Sequence, residues 1–130
     1  MKTEIFTLCD AATEGAGKLN ILGSFDTLFS RQEPMVHPGC ALALKLRFSR
    51  IEEGNHKLKI TFIDDDGKAV MQPLENEIPV RLNPKAPTVT TNVILNIQQL
   101  KLPHFGEYAI SLAVNGREET SLPLYVIKVD

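Results

Sequence analysis

Two cysteines and one histidine are the residues of this sequence best suited to nucleophilic or metal chemistry. His37 and Cys40 lie three residues apart, and Cys9 is able to approach them across a sheet. A thiol beside an imidazole serves nucleophilic catalysis, and the same side chains are zinc ligands. A structural zinc needs a fourth ligand, and the other histidines, His56 and His104, are distant in sequence. We favour the simpler interpretation, in which both cysteines are small core residues and His37 lies in an exposed loop.

The densest group of carboxylates is the run Asp64-Asp65-Asp66, followed by Gly67. Calcium prefers several oxygen ligands, and end loops of a β-sandwich are able to supply them, so Asp64 and Asp66 are candidate metal ligands. The spacing does not match an EF-hand, whose acidic ligands alternate through the loop. We favour a solvated hairpin turn, because Asp and Gly are residue types that turns require.

A third group of candidates lies near the N-terminus, where Asp10, Thr13 and Asn20 interrupt or border apolar segments. A polar side chain in such a place needs a hydrogen-bond partner or contact with solvent. In a structural interpretation, Asp10 caps a turn through an Asx-type bond and Asn20 pairs across a hairpin. In a functional interpretation, the three residues bind a small ligand or a peptide at this end of the fold.

Composition and missing motifs argue against several common functions. The 130 residues carry 14 Lys and Arg against 16 Asp and Glu, a net charge of −2, so we expect no basic face for nucleic acid. Aromatic residues make up 6% of the chain and Trp is absent, which leaves few side chains for stacking on bases. Nucleophile-elbow, phosphate-loop and zinc-protease motifs are missing. We predict no catalytic residue, no cofactor and no membrane association.

The elements that position these residues are predicted to be β-strands, because apolar residues alternate at a period of two. The pattern is clearest in Cys40–Ser49 and His56–Asp64. The last segment, 122–129, is apolar at most positions and is predicted to be buried on both faces. A short strand at 78–82 contains Pro79, which indicates a sheet edge. Further alternation occurs near 5–9, 18–29, 93–97 and 108–114.

Turn-forming residues separate the predicted strands. Asn115-Gly116 is typical of a type I′ hairpin, and Glu14–Gly17 is predicted to join the first two strands. The stretch from Pro34 to Gly39 indicates a surface crossing, and Ser49–Asn55 suits a short helical turn. Seven to nine short strands predict an all-β fold, an antiparallel β-sandwich formed by one domain of residues 1–130.

One motif favours an immunoglobulin-like sandwich, although the alternation by itself fits both Greek-key and jelly-roll strand orders. Phe105-Gly106-Glu107-Tyr108 precedes an alternating strand, as in the tyrosine corner, where a Tyr hydroxyl at the start of a strand bonds backward to the main chain. The Cys-Trp-Cys framework of antibody domains does not accompany it.

We expect a cytoplasmic location with both thiols reduced, because no apolar run of signal-peptide length follows Met1. The opening Leu-Cys-Asp-Ala-Ala-Thr, followed by Gly-Lys-Leu-Asn-Ile-Leu-Gly-Ser-Phe-Asp, resembles a bacterial family of small uncharacterised proteins, a domain of unknown function. The similarity continues through Cys40–Leu44, Gly54–His56, Asp64–Gly67 and Phe105–Tyr108. It implies a bacterial, non-secreted, single-domain protein and brings no activity or site residues.

The function that these observations favour is a non-catalytic binding or interaction module. Its partner is expected to be another protein or a second copy of the chain, because sheet edges and end loops of sandwiches serve recognition. The predicted surfaces are an edge strand near Glu77–Leu82 and the loops around Ala11–Gly17. Two alternatives stay open: a small enzyme that uses Cys9 or Cys40 with His37, and a structural domain stabilised by a metal at Asp64–Asp66.

Overall fold

The computed structural model describes residues 1–130 and contains nine strands and one short helix. The strands are β1 (Lys2–Gly15), β2 (Lys18–Ser24), β3 (Thr27–Ser30), β4 (Met35–Ser49), β5 (Gly54–Ile63), β6 (Leu74–Val80), β7 (Thr88–Leu102), β8 (Gly106–Val114) and β9 (Arg117–Lys128). A 3-10 turn at Arg50–Glu52 joins β4 to β5, as predicted. This three-residue turn is the one helical segment, and it is far too short to span a bilayer.

The strands form two sheets, one with the order β2-β1-β4-β7 and one with the order β3-β9-β8-β5-β6. All neighbours are antiparallel except β3 and β9, which are parallel. The series β1-β4-β7 corresponds to strands A, B and E of an immunoglobulin domain, and β9-β8-β5-β6 corresponds to G, F, C and C′. The predicted all-β, immunoglobulin-like sandwich is therefore confirmed, and strand D has no counterpart beside β7.

The core lies between the two sheets and consists of the alternating residues that the sequence indicates. Leu42, Leu44, Leu46 and Phe48 of β4 have no exposed surface. They belong to one cluster of 22 buried residues to which both sheets contribute. Each fully buried aliphatic or aromatic side chain contributes about 1.5–3 kcal/mol relative to its exposed state, so this cluster holds the two sheets together.

The tyrosine corner is present. The Tyr108 hydroxyl donates to the carbonyl oxygen of His104 at 2.6 Å and accepts from the His104 N–H at 2.9 Å. The tyrosine is 2% exposed, so these bonds satisfy a buried hydroxyl. The Asn115-Gly116 turn has φ angles of +52° and +84°, which are the positive values that a type I′ hairpin requires.

Two predictions about strands were wrong. Pro38 and Gly39 lie inside β4, which pairs with β7 without interruption of register, so the predicted surface crossing ends before Met35. The last strand, β9, is buried on one face only, because no element packs on the outer face of its sheet. Pro79 lies in β6 at a sheet edge, as predicted.

Candidate functional site

The distal half of the β1–β2 hairpin, residues 10–24, forms an arm that leaves its sheet. β1 pairs with β4 only as far as Cys9, and beyond that residue it pairs with β2 alone. At the tip, the Nδ2 of Asn92 on β7 donates to the carbonyl oxygen of Gly17 at 3.3 Å. Because β4 lies between β1 and β7, the arm must cross the outer face of β4 to reach Asn92.

Small side chains make room for this crossing. Cys9, Ala41 and Ala43 are 0–1% exposed although they face away from the main core. Apolar residues of the arm and of β7 cover them: Ala12, Leu19, Ile21 and Ile94. The alternation of small and large residues in Cys40–Leu44 signals a second covered face, which the sequence interpretation overlooked.

The predicted binding residues all lie on the arm and are exposed. Thr13 and Asn20 are cross-strand partners, and the Nδ2 of Asn20 donates to Thr13 Oγ1 at 3.4 Å, so the predicted pairing across the hairpin is confirmed. The predicted Asx-type cap was wrong, because Asp10 lies within β1, against Gly23. A shallow depression on the arm includes Thr13 and Asn20 and leaves Asp10 outside.

The cysteines are both free and buried, and they lie on opposite faces of their sheet. Cys9 is opposite Ala41 in the ladder, and Cys40 is the next residue of β4, so alternation turns the two side chains apart. Cys9 donates its S–H to the Ala41 carbonyl oxygen at 3.5 Å. Burial raises the pKa of Cys9 and raises the pKa of Cys40 to about 11, which keeps both thiols protonated at neutral pH.

The prediction of an exposed loop position for His37 was wrong. His37 lies in β4 opposite Leu100, and its ring centroid is 5.6 Å from that of Phe25. Its Nε2 is buried without a hydrogen-bond partner, and no hydrogen bond joins the imidazole to either thiol. The Cys/His enzyme stays a prediction, and the geometry does not favour it.

The Asp64–Asp66 cluster is built as a turn. Asp64 is 8% exposed, and its Oδ1 accepts from the N–H groups of Asp66 at 2.9 Å and Lys68 at 2.8 Å. Carboxylate oxygens of the three aspartates lie within 4.8 Å of one another, while Asp65 and Asp66 are exposed. The buried carboxylate is used by the turn itself, and the metal-stabilised domain stays a prediction.

The predicted edge at Glu77–Leu82 is poorly suited to adding a strand. Lys57 donates its N–H to Asn115 Oδ1 and accepts from the Asn115 N–H, so its backbone points away from β6. Its partner Glu77 therefore directs its backbone groups to the free edge, and Pro79, two residues on, has the same direction. Pro79 removes an edge donor without breaking the ladder, and the carboxylates of Glu75 and Glu77 add charge there.

An exposed apolar strip lies at the opposite edge of the same sheet, and the sequence interpretation missed it. We define the β3–β9 strip as Phe29, Tyr125, Ile127 and Val129, which are 60%, 38%, 46% and 37% exposed. Phe29 and Ile127 are direct partners between the parallel strands. Their neighbours Leu28 and Val126 face the core, so the strip faces solvent. Its signal in the sequence is the apolar run 122–129, from which burial on both faces is predicted and in which one face is exposed.

An acidic margin borders the strip. Glu107 on β8 is the cross-strand partner of Tyr125. The Glu107 carboxylate raises the pKa of the Tyr125 hydroxyl, with a smaller contribution from Asp26. Apolar side chains beside carboxylates offer a partner both burial and charge recognition.

The fold and these surfaces define an immunoglobulin-like β-sandwich that carries a folded arm on one sheet and an exposed apolar strip on the other. The chain belongs to a family of unknown function, DUF6941, whose model matches residues 4–127. The predicted membership of a family of unknown function is thereby confirmed. No curated protein sequence matches the chain.

Several solved structures are similar to the chain at low identity. One is the alkylpurine DNA glycosylase AlkC from Pseudomonas fluorescens, bound to DNA containing an abasic site analogue, with a TM-score of 0.43, 9% identity and coverage of 78% of this chain and 28% of that one. Another is a β-glucuronidase of glycoside hydrolase family 2, with a TM-score of 0.37, 15% identity and coverage of 72% of this chain and 11% of that one. A third is an immunoglobulin-like protein from Pseudomonas aeruginosa, with a TM-score of 0.37, 17% identity and coverage of 92% of this chain and 90% of that one. The chain thus spans only a small part of the first two proteins.

Proposed function

We propose that this chain is a non-catalytic binding module of the cytoplasm that recognises a protein partner through the β3–β9 strip. The observation that carries the proposal is the exposure of four apolar side chains, two of them aromatic, on the adjacent strands β3 and β9 and at the residue that follows β9. Contiguous exposed apolar side chains rimmed by polar residues mark interaction sites, whereas isolated ones are normal. The two free thiols suit a reducing compartment.

The strip has the dimensions of an interface centre. Tyr125 and Ile127 alternate along β9 and Val129 follows its last residue, so at ~3.3 Å per residue the three extend over about 13 Å. Phe29 widens the strip onto β3, at the edge of the sheet. Buried aromatic anchors near the centre of an interface supply most of its binding energy. Phe29 is the strongest anchor candidate because most of its surface is available.

The acidic margin specifies the chemistry of the partner. Glu107 and Asp26 lie beside Tyr125, so the preferred partner presents apolar side chains flanked by Lys or Arg. Opposite charge at the rim accelerates association and excludes acidic competitors.

The test compares strip variants with a matched variant on the arm. Tagged wild-type protein, Phe29→Ser, Ile127→Ser and Leu22→Ser are used to capture partners from the native lysate. Leu22 is the control because it is 71% exposed but lies on β2, in the other sheet. The captured protein is then purified and its Kd measured by calorimetry.

We expect each strip variant to weaken binding about tenfold or more, since an anchor residue is worth roughly 1–3 kcal/mol. Leu22→Ser should leave the Kd unchanged. Equal affinity of wild type and both strip variants, or recovery of no partner near stoichiometry, would refute the proposal.

A further inference from the structure

The two sheets have four edges, and three of them are protected against pairing with another strand. β6 carries Pro79 together with Glu75 and Glu77. β3 has only the four residues Thr27–Ser30, and β2 is short and contains Gly23 at a φ of +68°. Proline, charge, short length and backbone irregularity are the devices by which proteins block edge-to-edge association.

The fourth edge, β7, has none of these protections from Thr88 to Gln98; its one backbone irregularity is Gln99, at a φ of +54°, near the C-terminal end of the strand. The strand spans 15 residues, Thr88–Leu102, and pairs with β4 along one side only. From Thr88 to Leu100 it contains no charged residue, no proline and no glycine, and it is rich in Thr, Val and Ile. A long, neutral edge of high β-propensity is an open template for another strand.

The backbone direction shows which residues face this edge. The Leu8 carbonyl oxygen accepts from the Phe25 N–H at 2.9 Å, so the backbone of Leu8 points away from β4. The N–H and C=O groups of its partner in β4, Leu42, therefore point toward β7, where Leu42 pairs with Leu95. Because backbone directions alternate along a strand, the residues on either side of Leu95 direct their N–H and C=O groups to the free edge. These residues include Thr90, Asn92, Ile94 and Asn96, and no protein group bonds to their backbone on that side.

We propose that this edge binds a second copy of the chain, with two β7 strands paired antiparallel about a two-fold axis. A second copy matches the edge automatically, because an isologous interface needs only one self-complementary strand. The uncharged stretch is centred on Ile94, so pairing about this residue places Thr90 opposite Gln98, and no like charges face each other. The net charge of −2 adds only weak repulsion between copies. The product is a continuous sheet of two four-stranded halves.

The dimer uses a surface separate from the β3–β9 strip and does not depend on the proposed function. β7 lies in one sheet and the strip in the other. Dimerisation makes the binding module bivalent, which strengthens attachment to any partner that presents two sites.

Proline substitutions test the edge without breaking the fold's own ladder. Asn96→Pro and Thr90→Pro each remove an N–H that points to the free edge, so the bonds to β4 remain. Glu77→Pro is the matched control, because its N–H also points to a free edge, that of β6. The molecular mass is measured by sedimentation from low micromolar to near-millimolar concentration, and dispersed NMR spectra confirm that each variant is folded.

We expect wild type and Glu77→Pro to reach twice the chain mass of 14.4 kDa and both β7 variants to dimerise roughly tenfold or more weakly, since symmetry removes each bond twice. Amide exchange adds a residue-level readout: the N–H groups of Ile94 and Asn96 should gain protection as concentration rises, while that of Leu95 is protected throughout. A wild-type monomer at all concentrations overturns the proposal, as does a dimer that Asn96→Pro and Thr90→Pro leave intact. Phe29→Ser should keep the dimer and lose the partner, so the two proposals fail separately.

Discussion

Replacing Tyr108 by Phe removes one oxygen atom and tests whether the tyrosine corner stabilises the fold. The hydroxyl makes two hydrogen bonds to the backbone of His104, at 2.6 and 2.9 Å. The ring keeps its place among core residues, including Phe62 at a centroid distance of 6.2 Å. The substitution therefore isolates the polar contribution of the corner from its packing.

The expected loss of unfolding free energy follows from the bonds. One hydrogen bond contributes about 0.5–1.5 kcal/mol net, so two bonds predict a loss of about 1–3 kcal/mol. The upper half of this range is favoured because Tyr108 is 2% exposed, which limits replacement of the lost hydroxyl by water. In a domain of this size, each kcal/mol lowers Tm by roughly 3–5 °C.

Tyr125→Phe is the matched control, since the chain contains two tyrosines and this one is 38% exposed. Its hydroxyl lies beside Glu107 in contact with solvent, so we expect a change below about 0.5 kcal/mol. Urea unfolding is followed by circular dichroism and by tyrosine fluorescence, which no Trp obscures. The reasoning fails if the two variants lose the same stability, or if Tyr108→Phe stays within error of wild type.

Three further predictions concern other parts of the molecule. The N-terminal ammonium, 2.6 Å from Glu52, together with the Ser49 N–H, lowers the pKa of Glu52 from 4.5 to about 2. Because the folded-state pKa is depressed, the stability that the ionised Glu52 contributes is complete above pH 4.5 and is lost as the pH falls toward 2. Glu52→Gln should therefore lower the free energy of unfolding, measured in urea, by roughly 1–2 kcal/mol at pH 7 and by almost nothing at pH 2. A difference that does not depend on pH would contradict the ion pair. Gly23→Ala should lower the free energy of unfolding by about 1–2 kcal/mol, because the φ of residue 23 is +68° and the new Cβ would overlap the Asp10 carboxylate. Adding Asp10→Ala to the same chain should recover part of that loss. An unchanged stability of Gly23→Ala would refute the close approach of these two residues. Burial and the raised thiol pKa values should make Cys9 and Cys40 unreactive toward a thiol reagent at pH 8 until the protein unfolds, and rapid labelling of the native protein would show that they are accessible.

Local patterns in the sequence were sufficient to predict the fold class, one hairpin turn, one edge position and the tyrosine corner. Alternation at a period of two identified the core face of β4, because neighbouring side chains of a strand necessarily point to opposite faces. The Asn115-Gly116 turn, the edge position of Pro79 and the corner at Tyr108 were likewise predicted, since each depends on the conformational or hydrogen-bonding preference of a few adjacent residues. Family membership also followed from the sequence.

Only the tertiary structure decided which apolar faces are covered and which edges are free. Ala41 and Ala43 are buried because an arm distant in sequence crosses them, whereas Ile127, in an equally apolar strand, is exposed because nothing packs above it. β7 likewise lies at an edge because no strand pairs with its second side, which only the topology of the whole sheet shows. Burial and pairing depend on neighbours brought together by the whole fold, so a strand's own sequence predicts its alternation but not what lies against it.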